Sequence, residues 1–253
     1  MARSCISTAR SGTVILAIAL LCSACSTTWT PFQGAIWNPA QIFTESTDVR
    51  GLRVGVLYGK NASLDGLDVG LVTNVEGRTR GVQSGFVNFA SEVDGLDIGF
   101  VTNVEGRVRG AQCGVANLAA EFDGLNFGGW NNVEKRVRGV QLAGIVNFAG
   151  EFDGLEVGLA NQVEDRVRGV QLAGVANLAG EVAGVQLAGI YNMTESVVGA
   201  QLSGLVNHAE KLNGLQIGFL NFNGSGPLPF FPIFNFGFAD ESAESEKSSF
   251  QRT

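Results

Sequence analysis

Few groups in this chain are able to do chemistry, and their spacing points away from a catalytic centre. His208 is the single histidine among 253 residues. Its slot is filled by Met193 and Phe222 in neighbouring repeats, so it reads as a member of an apolar column rather than as a base. No Ser or Cys can claim it through a local motif, and one histidine allows no histidine-rich metal site. Carboxylates are numerous, among them Glu76, Glu105, Glu134 and Glu164. Clustered acids facing a cleft would suit glycoside hydrolysis. Here most acids alternate with arginine at fixed slots, which is the pattern of ion pairs. No EF-hand loop, Asp-rich nonapeptide or glycine-rich nucleotide loop occurs. The arginine pairs Arg78/Arg80, Arg107/Arg109, Arg136/Arg138 and Arg166/Arg168 could meet an anionic polymer only if all lay on one edge. The expectation is a non-enzymatic chain with no catalytic, cofactor-binding or metal-ligating residue.

The elements that position these groups form a repeat. Glycines at 51, 66, 81, 95, 110, 124, 139, 154, 169, 184, 199 and 214 start units of 14 or 15 residues. A short fixed period means stacked units that each bury a face against the next. Two of them read GLDVGLVTNVEGRTR and GVQLAGVANLAGEVA. The first half of a unit alternates, with Leu67, Val69 and Leu71 on one side and Asp68 and Gly70 on the other, which is the period of a strand. Each unit then reaches an asparagine, as at Asn74, Asn88, Asn103, Asn117, Asn132 and Asn147. Asparagine suits turns, and stacked asparagines can bond to one another as a ladder. Apolar residues continue beyond it, in one column holding Val75, Phe89 and Val104 and another holding Val93, Val108 and Phe122. A chain that wraps around a core requires apolar columns in both halves of the unit, whereas a plain hairpin turn is polar.

Two all-β architectures satisfy this pattern: a β-solenoid of ~15-residue coils, or an antiparallel up-and-down sheet closed into a barrel. Charge separates them. The residue before each repeat glycine runs Arg80, Asp94, Arg109, Asp123, Arg138, Asp153, Arg168. Two residues earlier a second row runs Arg78, Glu92, Arg107, Glu121, Arg136, Glu151, Arg166, Glu181. In a solenoid both rows become columns of alternating sign, worth roughly 0.2–1 kcal/mol per neighbouring pair. In a barrel all arginines gather at one rim and all acids at the other. A slip by one coil would set Arg on Arg, so the alternation also protects register. The solenoid is the favoured reading.

The N-terminus reads as an export leader spanning 1–25. Arg3 and Arg10 precede an apolar run at 13–21 that is too short to span a bilayer as a helix. Ser23-Ala24-Cys25 follows, so Cys25 is the expected lipidation site. Cys5 and Cys22 fall within the leader, which leaves Cys113 alone in the mature domain, read as a small buried filler. Residues 26–50, with Trp29 and Trp37, form an N-terminal cap ahead of the repeat domain at 51–223. The Pro- and Phe-rich stretch 224–238 covers the last coil, and 239–253 is a disordered tail. Charged residues make up 16% of the chain, below the ~25% of ordinary domains, while a 45% hydrophobic content excludes a disordered chain. A formal net charge of −7 speaks against a nucleic-acid partner.

The segments GLQIGFLN, GVQLAGVAN and GLDVGLVTN, closing in LPFFPIFNFGF, resemble a family of bacterial surface-repeat lipoproteins, and the likeness covers roughly 51–238. The resemblance implies an exported envelope protein and transfers no catalytic residue. The functional expectation is a lipid-anchored scaffold or adhesion protein of the cell envelope, in or at the outer membrane. Its partners would be the membrane, through the anchor, and a protein or polysaccharide ligand. The alternative is an outer-membrane barrel or channel with lipid-facing Leu67, Val69 and Leu71.

Overall fold

The structure is a computed structural model that describes residues 29–38, 40–226 and 228–238. The leader with Cys25 and the tail at 239–253 lie outside the described residues. Among the described residues the chain is almost entirely β-strand, without helix, in about 13 turns of a β-solenoid. Its strands are β1 (Trp29–Trp37), β2 (Ala40–Gln41), β3 (Asp48–Gly55), β4 (Tyr58–Asn61), β5 (Leu64–Ala188), β6 (Tyr191–Ser203), β7 (Val206–Asn223) and β8 (Phe230–Gly237). The chain divides into two compact units, Met1–Cys113 and Gly114–Thr253.

In the first unit β1 pairs parallel with β3, and β3 and β4 pair parallel with the start of β5. Arg50 lies opposite Asp65 and Gly51 opposite Gly66, a step of one repeat. β2 folds back antiparallel on β1, so the segment expected to cap the repeat itself contributes a strand to the stack. In the second unit the end of β5 pairs parallel with β6, and β6 with β7, with Gly184, Gly199 and Gly214 in register. β8 closes this unit by lying antiparallel along β7.

The parallel, one-repeat register overturns the antiparallel barrel. Up-and-down strands would reverse direction at each asparagine. Instead the chain stays extended past the asparagine and returns to the same edge one level higher, which only a coil does.

The repeat glycine makes this possible. All twelve of these glycines adopt φ between 120° and 147°, a region closed to residues with a side chain. At Gly154 the reason is visible, because an added Cβ would be driven into the carbonyl oxygen of Gly139 in the coil below. The backbones meet here at a spacing that no side chain fits.

Each coil has two chemically opposite halves. From the asparagine to the next glycine, apolar residues face in and charged residues face out. Val93, Val108, Val137, Val167 and Val197 are at most 1% exposed, and Phe122 and Phe152 are equally buried. From the glycine to the asparagine the pattern inverts. Polar residues point inward, with Asp68, Gln83, Gln141, Gln171, Gln201 and Gln216 at 0% exposure. Their apolar strand neighbours point to solvent, with Leu67 at 41%, Val69 at 40% and Leu71 at 49%. The core is therefore apolar on one side of the coil and amide-rich on the other.

Three details of the repeat differ from expectation. The buried position in the asparagine column is held by Thr73, Thr102 and Asn131, while Asn74, Asn103 and Asn132 sit one residue on and are only half-buried. The 14- and 16-residue steps between successive inward asparagines displace the frame by one residue. For the same reason the column following the asparagine is split. Val75, Val104, Val133 and Val163 point inward, whereas at Phe89 and Met193 the large side chain is outside. Cys113 follows the buried Gln112 and is half-exposed on the outer side of its strand, so it is not a buried filler.

Candidate interaction surface

The outward side of the glycine-to-asparagine strand forms a continuous apolar face within each unit. Counting from the repeat glycine, residues one and three further on point outward, followed by a residue at the corner before the asparagine. In the first unit Leu52 stacks on Leu67 and Val54 on Val69. At the corner Phe86 and Phe100 stack with centroids 4.9 Å apart and rings 5° from parallel. In the second unit Ala200 pairs with Leu215 and Leu202 with Ile217, and β8 extends these columns through Phe236 and Phe234. The corner column there is well exposed, with Ile145 at 62% and Phe219 at 66%. None of these outward slots carries a charge.

The strand can turn its apolar side outward because most inward amides bond to one another across coils, although Gln141 and one oxygen each of Asp68, Asp97 and Glu156 are left without a partner. From Asn117 to Asn221 each asparagine Nδ2 donates to the Oδ1 of the next, through Asn131, Asn147, Asn161, Asn177, Asn192 and Asn207, at 2.8–2.9 Å. Most of these amides donate again to a backbone carbonyl, as Asn147 does to Val157 and Asn161 to Leu172. Inward glycines leave room for the ladder, since a Cβ on Gly158 would lie 2.7 Å from Asn161 Oδ1. Beside it runs a glutamine ladder. Gln216, Gln201 and Gln186 each donate to the glutamine before, and Gln171 donates to Glu156, at 2.7–2.8 Å. A buried amide costs little when both its lone pairs and its protons find partners.

The same inward slot carries four ionisable groups. Arg53 donates to Asp68 at 2.7 Å, to Asn61 and to the carbonyls of Gly59 and Asn74, all within the first unit. Burial raises the Asp68 carboxyl to about 6 even though Arg53 opposes the shift. Asp97 is raised by burial to about 7, with a hydrogen bond from Asn88 working the other way. Glu156 is raised by burial to about 8, against the bond from Gln171. No reading of acid–base motifs singled these residues out. A signal existed nonetheless, because Arg53, Asp68, Asp97 and Glu156 stand two residues after a repeat glycine, where the other units carry glutamine or, at Asn126, asparagine. Arg53 and Asp68 pair with each other and Asp97 meets Asn88 in the first unit, while Glu156 meets Gln171 in the second, and all four are buried rather than set at a cleft.

The charge rows lie on the other side of the coil, at the surface. Arg80 reaches Asp65 at 3.6 Å, Arg109 reaches Asp94 at 3.5 Å and Arg138 reaches Asp123 at 3.9 Å. In the second row Arg78 meets Glu92 at 2.6 Å and Arg166 meets Glu181 at 2.9 Å, and Arg136 pairs with Asp153. Arg168 is exposed. Pairs this exposed hold register more than they stabilise. His208 is half-buried beside Phe222, ring centroids 6.3 Å apart, and opposite Met193. Among the described residues no group of three His, Cys, Asp or Glu side chains is arranged to hold a metal ion. A surface depression of about 240 Å³ is lined by Trp130, Phe148, Glu134 and Glu164 and brings no nucleophile to a base.

Compared with protein-family models, curated proteins and solved structures, the chain shows no match.

Proposed function

We propose that this protein is a non-enzymatic, lipid-anchored scaffold or adhesion protein of the bacterial cell envelope, as the resemblance of its repeats implies, and that it engages its partner through the apolar side of the coil. The observation that carries this reading is the uncharged apolar face backed by an interior of asparagine and glutamine ladders. A face of this kind suits a partner that removes apolar surface from water. It suits a polysaccharide poorly, since sugar recognition needs outward hydrogen-bonding groups, of which the columns hold only Ser84. The acids and arginines of the surface rows neutralise one another, so they offer neither a catalytic pair nor a strong field for nucleic acid. The leader ending at Cys25 supplies the anchor in this proposal.

The test uses the full chain expressed in a bacterium with two membranes, with labelled palmitate in the medium. The expected result is a labelled protein in the outer-membrane fraction and loss of the label in Cys25→Ala. An unlabelled wild-type protein in the cytoplasmic fraction would overturn the envelope assignment.

A further inference from the structure

We infer that the apolar face of the second unit is a self-association surface, covered by the same face of a second copy of this chain. This partner rests on reading the face as an interaction surface and adds what occupies it.

Three observations carry the inference. The first is the sheet itself. Parallel sheets are found covered on both faces, and here the inner face is filled by the amide ladders while the outer face holds only apolar side chains. The second is area. Roughly a dozen outward Leu, Ile, Val, Phe and Trp side chains of this unit are between two-fifths and two-thirds exposed. At about 200 Å² for a large side chain they present on the order of 1,000 Å² of apolar surface. A stable interface needs ~800 Å² per partner, and the largest patch on an ordinary monomer is ~300–600 Å². The third is charge. Interfacial elements that lie on anionic bilayers carry lysine and arginine beside their apolar side. Here the residues that follow the asparagine corner are of mixed sign, with exposed Glu134, Glu164 and Asp165 beside exposed Lys135 and Arg166, and the chain as a whole is at −7, so no basic margin flanks the face. A margin of mixed sign gives an anionic lipid surface no net attraction, whereas a second copy of the face presents no charge at all.

The repeat also makes the face complementary to itself. Each column places an apolar side chain at every coil, ~4.8 Å apart. A copy related by a two-fold axis therefore meets apolar rows wherever it docks, with ridges of Leu and Ile entering the grooves between columns. Leu155 and Leu187 lie in two of these columns, 37% and 42% exposed, with their side chains in solvent rather than in the fold.

The experiment uses the full chain, two differently tagged copies expressed together, with the photo-reactive residue p-benzoylphenylalanine at position 145 in place of Ile145. Irradiating intact cells should give an adduct of twice the chain's mass that carries both tags. The same probe at Glu164 should give none. The double substitution Leu155→Lys and Leu187→Lys should lower the adduct at least about tenfold, since it buries charge in the contact. Leu155→Ile with Leu187→Ile should retain it. Circular dichroism of the purified full-length lysine variant should match wild type, which separates lost contact from lost fold. Crosslinking from position 145 to phospholipid or to a different protein would overturn the inference, as would an adduct that the two lysines leave unchanged. An adduct that persists in a chain found in the cytoplasm would sink the envelope assignment alone and leave the self-association standing.

Discussion

Replacing Glu156 with glutamine should remove much of the stability that this protein loses as the pH rises from 4.5 to about 8. Glu156 is fully buried, and its Oε2 accepts from Gln171 at 2.8 Å while Oε1 has no partner. On its other side Gln141 is buried with both amide atoms unpartnered. Burial holds the carboxyl protonated up to about pH 8, against 4.5 for an ordinary glutamate. Below pH 4.5 the folded and unfolded chains both carry the proton, and the group costs the fold nothing. Between 4.5 and about 8 the unfolded chain releases the proton while the folded chain keeps it, so stability falls as pH rises. Above 8 the loss is complete. At about 1.4 kcal/mol per tenfold change in proton affinity, it reaches at most about 5 kcal/mol. Glutamine has no proton to lose, and its Nε2 would extend the amide ladder toward Gln141. Glu156→Gln should therefore change stability by about 1 kcal/mol or less at pH 4.5 and raise it by about 2–5 kcal/mol at pH 9. Guanidinium unfolding of the full chain at both values, followed by circular dichroism, measures the difference. Asp68 and Asp97 add the same background to both proteins and cancel. An equal effect at pH 4.5 and pH 9 would refute the account, because it would mean that the folded chain holds the carboxylate as readily as water does.

Two further substitutions test the coil. Gly154→Ala forces a side chain onto φ +140° and into the Gly139 carbonyl, and should cost at least about 3 kcal/mol in the same unfolding assay. Asn161→Ala removes the acceptor of Asn147 and the donor to Asn177 and to the Leu172 carbonyl. It should cost about 2–4 kcal/mol and raise amide hydrogen exchange in the flanking coils first, since it strands buried polar groups on both sides.

How much of this could be read from the residues differs between the two halves of the coil. The column of Val93, Val108, Phe122 and Val167 is buried as its periodicity implies, because there the apolar side of the strand is also the inner side. The stacking step was legible as well. Charges that alternate over consecutive repeats at Arg80, Asp94 and Arg109 favour a stack in which each repeat lies parallel beside the next. The asparagine frame was not legible at Asn74, Asn103 and Asn132. Each of these stands next to a residue equally able to bond inward, and only the steps between coils decide which one does.

Period, strand character and the glycine corner follow from the sequence by itself, since each is a local property, whereas the alternating charges favoured parallel stacking of the repeats and the coil register decided it against the barrel. What the tertiary structure decided is which side of the glycine-to-asparagine strand faces in. Alternation at Leu67, Asp68 and Val69 shows that the two sides differ but not which is inside, and hydrophobicity alone would bury the leucines. The inward amides become affordable only when Asn147 meets Asn161 and Gln186 meets Gln171 across coils. Those bonds do not exist in a single repeat. Once the stack forms them, the apolar side chains are left on the outside, and the surface that most characterises this protein appears.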